Sequence, residues 1–98
     1  MNIFEQAIER AKGMCEVCGS PGNEIHHCIF GSGKKKQCER LESIILLCYE
    51  CHRGTYGVHG KNGSELNLRL KQKLQITYQK LGLKDEELRY WLGGRYYL

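Results

Sequence analysis

The apolar residues near the amino end of the chain recur with the period of an amphipathic helix. The spacing predicts a helix over residues 3–12, with Asn2 as its N-cap, Gly13 as its stop, and an apolar face of Ile3, Phe4, Ala7, Ile8 and Ala11. We expect this helix to cover the core, because it carries no residue that suggests chemistry.

The same period returns over residues 64–82, where it predicts the longest helix. Ser64 is suited to cap this helix and Gly82 to end it, and its stripe consists of Leu66, Leu70, Leu74, Tyr78 and Leu81. Asp85 is placed to cap a last short helix that reaches about Leu92.

Between the helices, two short apolar runs predict strands at Ile25–Phe30 and Ile44–Leu47. The segment between them, GSGKKKQCER, is rich in glycine and lysine and predicts an exposed loop. The chain therefore predicts a small α+β fold.

Length and charge narrow this picture. The 98 residues predict one domain over 1–98, divided into an N-terminal helix (1–13), a core (14–63) and a C-terminal helical part (64–98). The chain has 15 Lys+Arg against 11 Asp+Glu, a balance that suits a nucleic-acid partner and equally suits a solvated surface.

No apolar run reaches the ~20 residues of a membrane helix, and the amino end lacks the apolar core of a secretion signal. These features predict no membrane partner and a cytoplasmic location. In a reducing compartment, the six cysteines are expected to be metal ligands or free thiols rather than disulfides.

Four cysteines form two Cys-x-x-Cys pairs with 29 residues between them: Cys15, Cys18, Cys48 and Cys51. Each pair has the spacing at which a tight turn directs two sulfurs at one ion, so together they predict a structural, four-cysteine Zn²⁺ site. A redox motif is the alternative, but the βαβ pattern that accompanies it is missing. Of the two remaining cysteines, Cys28 is expected to be buried and Cys38 to be an exposed free thiol.

All four histidines lie close to these pairs in the sequence, at His26, His27, His52 and His59. Such a group can bind a metal, transfer protons or simply pack, and the residues alone leave these alternatives open. A zinc ion that joins the two pairs would bring His52 close to the strand that carries His26 and His27.

The string CEVCG…IHH…LLCYECHRGTYGVHG resembles the HNH nuclease family, and in particular small HNH-type proteins encoded by bacteriophages and prophages. The resemblance covers residues 15–63. It implies a ββα-metal core with a pair of zinc knuckles, here flanked by an N-terminal helix and C-terminal helices. It also implies an endonuclease that hydrolyses DNA phosphodiester bonds in the cytoplasm of a bacterial host.

Residue by residue, the resemblance implies that His26 and His52, with His59 as a further ligand, hold a catalytic divalent metal. This would be Mg²⁺ or Mn²⁺, with Zn²⁺ or Ni²⁺ as alternatives. His27 becomes the general base that activates water. The chain departs from the family pattern at Ser43, where the family has an asparagine that orients the catalytic histidine. Serine can supply part of that hydrogen bonding.

Basic residues near these histidines predict contacts with DNA phosphates: Lys34, Lys35, Lys36 and Arg53, with Arg69, Lys73 and Lys80 extending the surface along the long helix. The Ser43 departure favours an alternative function, a non-catalytic, zinc-stabilised phage regulator or inhibitor that binds nucleic acid or protein. Activity only within a larger complex, a protein partner and a homo-oligomer are also open.

Overall fold

The computed structural model describes residues 1–31 and 33–98 of the chain. Its first helix, α1, spans Ile3–Ala11, and the Asn2 side chain accepts a hydrogen bond from the Glu5 amide at 2.9 Å. The predicted N-cap is therefore confirmed. The helix ends at Ala11, and its C-cap residue is Lys12, which adopts a left-handed conformation, as does the predicted stop Gly13.

Two antiparallel strands follow, β1 over Glu24–His27 and β2 over Ile44–Leu47. His26 pairs with Ile45, and His27 pairs with Ile44. Directly paired residues share a face of the sheet and successive residues alternate, so His26 and His27 lie on opposite faces. Strand β1 ends at His27 rather than at the predicted Phe30, and the consecutive residues Cys28 and Ile29 are both buried, so the alternation of a strand does not continue there.

The outer edge of β2 is covered by an ion pair. Arg10 and Glu16 form two 2.8 Å hydrogen bonds with each other. Arg10 also donates to the carbonyl oxygens of Leu41 and Ile44, while Glu16 accepts from the amide of Leu46. The pair satisfies backbone groups that a free strand edge would leave open to another chain.

Helix α2, Lys35–Cys38, lies within the segment predicted as a loop, and Ser32 of that segment lies outside the described residues. The remaining helices are α3 over Tyr49–Arg53, α4 over Ser64–Lys80 and α5 over Asp85–Trp91. The described residues thus form a small α+β fold with five α-helices and a two-stranded sheet. Helix α4 has Gly63, not Ser64, at its N-cap position, and α5 has Lys84, not Asp85.

Helices α4 and α5 pack against the residues that follow β1. This core contains Cys28, Ile29, Leu74, Tyr78, Leu88 and Leu92. Cys38 is partly buried against it rather than exposed, whereas Leu81 of the predicted stripe is exposed. Cys28 is buried, which confirms its expected position. Burial raises the pKa of its thiol to about 12, which makes this thiol unreactive. Among the described helices, none has the length and apolar composition needed to cross a membrane.

Candidate metal centres

The two Cys-x-x-Cys pairs meet in space. The sulfurs of Cys15, Cys18, Cys48 and Cys51 all lie within 4.8 Å of one another, and we call this group the cysteine centre. The Cys18 and Cys48 sulfurs are 3.6 Å apart. Zinc–sulfur bonds of about 2.3 Å in a tetrahedron place sulfurs about 3.8 Å apart, so the arrangement is compatible with one structural metal ion.

Backbone amides point at the sulfurs of the cysteine centre. Val17 and Cys18 donate to the Cys15 sulfur at 3.5 Å, and Cys51 donates to the Cys48 sulfur at 3.4 Å. Hydrogen bonds from the Ser20 side chain and backbone, and then from the thiols of Cys48 and Cys15, lower the pKa of Cys18 to about 6. Because the thiolate is the form that binds metal, these hydrogen bonds favour the metal-binding form of Cys18.

Three of the four histidines form a second group, which we call the histidine centre. One ring nitrogen from each of His26, His52 and His59 lies within 4.8 Å of the other two, and the ring centroids are 4.9 to 5.3 Å apart. Strand β1 supplies His26, α3 supplies His52, and the loop before α4 supplies His59. The first two rings are buried, and His59 is exposed, so the centre is open to solvent on one side.

His26 is a buried member of the histidine centre whose ring nitrogens have no hydrogen-bond partners among the described residues. Its side chain is 1% exposed. Burial, followed by the nearby His52 and His59, lowers the pKa of His26 to about 3, so the ring is neutral. A buried polar atom without a partner is costly, and a neutral imidazole nitrogen is a metal ligand. The donor set therefore fits a metal ion.

Glu24 positions His52 within the histidine centre. Its carboxylate forms a close hydrogen bond with Nδ1 of His52 and also accepts from Nε of Arg53 at 3.2 Å. This pairing leaves Nε2 of His52 as the nitrogen with a free lone pair. Carboxylate–histidine pairs of this kind fix the tautomer and orientation of metal-binding histidines. Sequence reasoning missed Glu24, which lies 28 residues from its partner.

A glycine at every third position shapes the loop that carries His59. Amides of Gly57, Gly60 and Gly63 each donate to the carbonyl three residues earlier, starting from Gly54. A Cβ atom on Gly60 would lie 1.8 Å from the Gly54 oxygen, so this close coiling requires glycine. The His59 amide then donates to the His52 carbonyl at 2.9 Å, which brings the His59 ring to the histidine centre. The repeated glycine spacing is visible in the sequence but was not recognised there.

His27 borders the same cleft. It lines an open cavity of about 330 Å³ together with all three residues of the histidine centre. Its ring also packs edge-on against Phe4 of α1, with centroids 6.0 Å apart. His27 is thus the chain neighbour of His26 and lines the same cavity, while its half-buried ring, on the opposite face of the sheet from His26, contacts α1.

Ser43 is fully buried at the end of a short 3-10 helix, Leu41–Ser43, immediately before β2. Its hydroxyl faces the carbonyl oxygens of Cys38 and Arg40 at 3.1 and 3.0 Å and accepts from the Arg40 amide. None of these side-chain hydrogen bonds involves His27. The Ser43 carbonyl instead accepts from the Cys28 amide at 2.8 Å, which ties the residue after His27 to β2 through the backbone.

The predicted basic residues occupy different positions. Lys35 and Lys36 are exposed on α2, and Lys34 is half-buried before it. Arg53 is paired with Glu24 and thereby supports His52. Sequence reasoning missed Lys71, which faces inward from α4 beside the cleft residue Phe30.

Neither a protein-family model, nor a curated protein, nor a solved structure matches the chain. The functional interpretation therefore depends on the geometry of the two centres and their surroundings.

Proposed function

We propose that the protein is a metal-dependent endonuclease of the HNH type that hydrolyses DNA phosphodiester bonds at the histidine centre. The observation that supports this most directly is His26, a buried neutral imidazole without partners that faces two further imidazoles. In this proposal Zn²⁺ at the cysteine centre is structural, because four thiolates leave no open position. Three histidine ligands leave one coordination position open, as in catalytic zinc sites.

The donor set selects the kind of catalytic metal. Imidazole suits Zn²⁺ and Ni²⁺, whereas Mg²⁺ prefers carboxylate and carbonyl oxygens. Glu24, the carboxylate next to the centre, is engaged by His52 and Arg53. We therefore propose Zn²⁺ or Ni²⁺ in preference to the Mg²⁺ or Mn²⁺ expected from the resemblance.

A bound divalent ion would supply positive charge to the scissile phosphate and its leaving oxygen. His27, at the wall of the same cleft, would accept the proton of the attacking water. Its contact with Phe4 holds the ring in place for that transfer. DNA fits the net charge of +4 and the lysines beside the cleft.

The test combines metal content with cleavage. We expect the wild-type chain to bind two metal ions and to cut supercoiled or single-stranded circular DNA when supplied with Zn²⁺ or Ni²⁺. His26→Ala should retain one ion and His27→Ala two, and both should lose cleavage. If the folded, two-metal protein cuts neither DNA, the endonuclease proposal is wrong and the non-catalytic binding function replaces it.

A further inference from the structure

An aromatic and basic patch lies immediately beside the histidine centre. Phe30 is 52% exposed, and its ring centroid is 6.3 Å from that of His59. Lys71 places its ammonium 4.7 Å from the Phe30 centroid and 5.3 Å from the Tyr97 centroid. Arg95 lies over Tyr97 at 5.2 Å. We call Phe30, Lys71, Arg95 and Tyr97 the aromatic–cation patch.

The cations of this patch are held in place without being neutralised. Within residues 1–31 and 33–98, no carboxylate forms an ion pair with Lys71, Arg95 or the nearby Lys34. Aromatic rings position the Lys71 ammonium instead, and a ring attracts a cation without cancelling its charge. Burial and then the charge of Arg95 lower the pKa of Lys71, which indicates how closely the cations are gathered.

The carboxyl-terminal segment is docked so that it contributes to the patch. Gln75 accepts hydrogen bonds from the amides of Tyr97 and Leu98 at 2.7 and 3.1 Å, and Gln72 donates to the Tyr97 carbonyl at 3.1 Å. Two glutamines of α4 thereby fix the backbone that carries Tyr97 beside Lys71, which precedes Gln72 in the helix and lies one turn before Gln75. The patch is a built surface drawn from three parts of the chain.

A nucleic-acid strand carries negative phosphates and aromatic bases, which are the groups that complement this patch. Phosphates would neutralise fixed cations, and a base would stack on an exposed ring beside them. A base in a continuous duplex has both faces covered by its neighbours, whereas an unpaired base has a face to offer. A surface of this composition is therefore better suited to an unpaired base than to a base within a continuous duplex.

We propose that the aromatic–cation patch is a nucleotide subsite in which an unpaired base stacks on Phe30 and the flanking phosphates lie on Lys71 and Arg95. The substrate class is then DNA that is single-stranded at the cleavage site. This inference rests on the proposed function, since it places the subsite next to the scissile phosphate.

The experiment measures binding rather than cleavage. Full-length, zinc-loaded His27→Ala protein is titrated into a labelled single strand that contains 2-aminopurine, and into the same strand annealed to its complement. Anisotropy gives Kd, and quenching of 2-aminopurine reports stacking. We expect tighter binding to the single strand, with quenching.

Adding Phe30→Leu should weaken single-strand binding about tenfold, abolish the quenching and leave duplex affinity nearly unchanged. Tyr56→Leu is the matched control, because Tyr56 is 73% exposed and outside the patch. Lys71→Gln should lower the salt dependence of single-strand binding by about one phosphate contact, and the exposed Lys61 provides its control.

Equal losses on single strand and duplex, or quenching that persists in Phe30→Leu, would overturn the subsite. The two proposals fail separately. If single-strand binding depends on Phe30 but the wild-type protein does not cleave DNA, the subsite proposal stands and the nuclease proposal is wrong. Cleavage with no dependence of single-strand binding on Phe30 would mean the reverse.

Discussion

Individual side chains at the histidine centre differ in what they do, and Glu24 is the clearest positioning residue. It contacts His52 and Arg53, and it orients the His52 ring although it does not itself belong to the histidine centre. A carboxylate in this position raises the basicity of the histidine as well as fixing its ring. The His52 hydrogen bond, in turn, lowers the pKa of Glu24.

Glu24→Gln should weaken metal binding at the histidine centre about ten- to hundredfold, because a neutral amide holds His52 less firmly. The cysteine centre should keep its ion. Calorimetric titrations with Zn²⁺ and with Ni²⁺ measure the metal affinities of the two centres separately. Glu65→Gln, on the exposed first turn of α4, is the matched control. If the metal affinity of the histidine centre is unchanged in Glu24→Gln, Glu24 does not support that centre.

Tyr78 tests a buried polar atom in the core. Its side chain is 0% exposed, and Arg40 lies over the ring at 5.1 Å. Its hydroxyl forms no hydrogen bond of normal geometry with any described residue, although the Ser43 side chain lies near enough to oppose the rise in the pKa of Tyr78. Tyr78→Phe keeps the ring and removes the unpaired hydroxyl. It should therefore raise the free energy of unfolding at pH 8 by about 1 kcal/mol.

The gain from Tyr78→Phe should grow at high pH. Burial raises the pKa of Tyr78 from 10.0 to about 12, so the unfolded chain loses this proton first and the wild-type protein loses stability as pH rises from 10 toward 12. Phenylalanine has no proton to lose, so the difference should widen by about 1 kcal/mol between pH 8 and pH 11. Urea unfolding measures it, with the exposed Tyr90→Phe as control. A destabilised Tyr78→Phe would mean that the hydroxyl has a partner.

At the scale of elements, the sequence predicts features that depend on neighbours in the chain. Helix α1 and strand β2 lie where the apolar spacing puts them, and the two Cys-x-x-Cys pairs meet as their spacing indicates. Features formed by distant residues were not predictable in this way. The Arg10–Glu16 cover of β2 and the contact between Phe30 and Lys71 depend on how the elements pack, which no local pattern encodes.

The glycine loop is an element whose conformation determines a ligand position. Gly60→Ala should displace the loop, because the added methyl group would collide with the backbone oxygen of Gly54. We expect a loss of about 2 kcal/mol or more in unfolding free energy and a lost metal at the histidine centre. Thr55→Ala, an exposed position in the same loop, should change neither. Denaturant unfolding and metal content test this, and a fully loaded Gly60→Ala protein would contradict it.

At the scale of the molecule, helix α3 joins the two centres. Cys48 accepts a hydrogen bond at its start, and Cys51 and His52 are consecutive residues within it. The cysteine centre also ties α3 to the segment that carries Cys15. The histidine centre should therefore depend on the cysteine centre, because it requires α3 in place. The cysteine centre should not depend on the histidine centre, because it does not require His59.

Cys48→Ser should lose both metal ions and most of the folded structure. Structural zinc in zinc-finger peptides binds with about 10–16 kcal/mol, which is as large as the stability of a whole domain. His59→Ala should lose one ion and keep the fold. Cys38→Ser, which removes a thiol that lines the cleft but belongs to neither centre, should keep two. Metal analysis with far-ultraviolet circular dichroism distinguishes these results. A folded Cys48→Ser protein that retains metal at the histidine centre would show that the two centres are independent, and that the cysteine centre is not the scaffold on which the histidine centre depends.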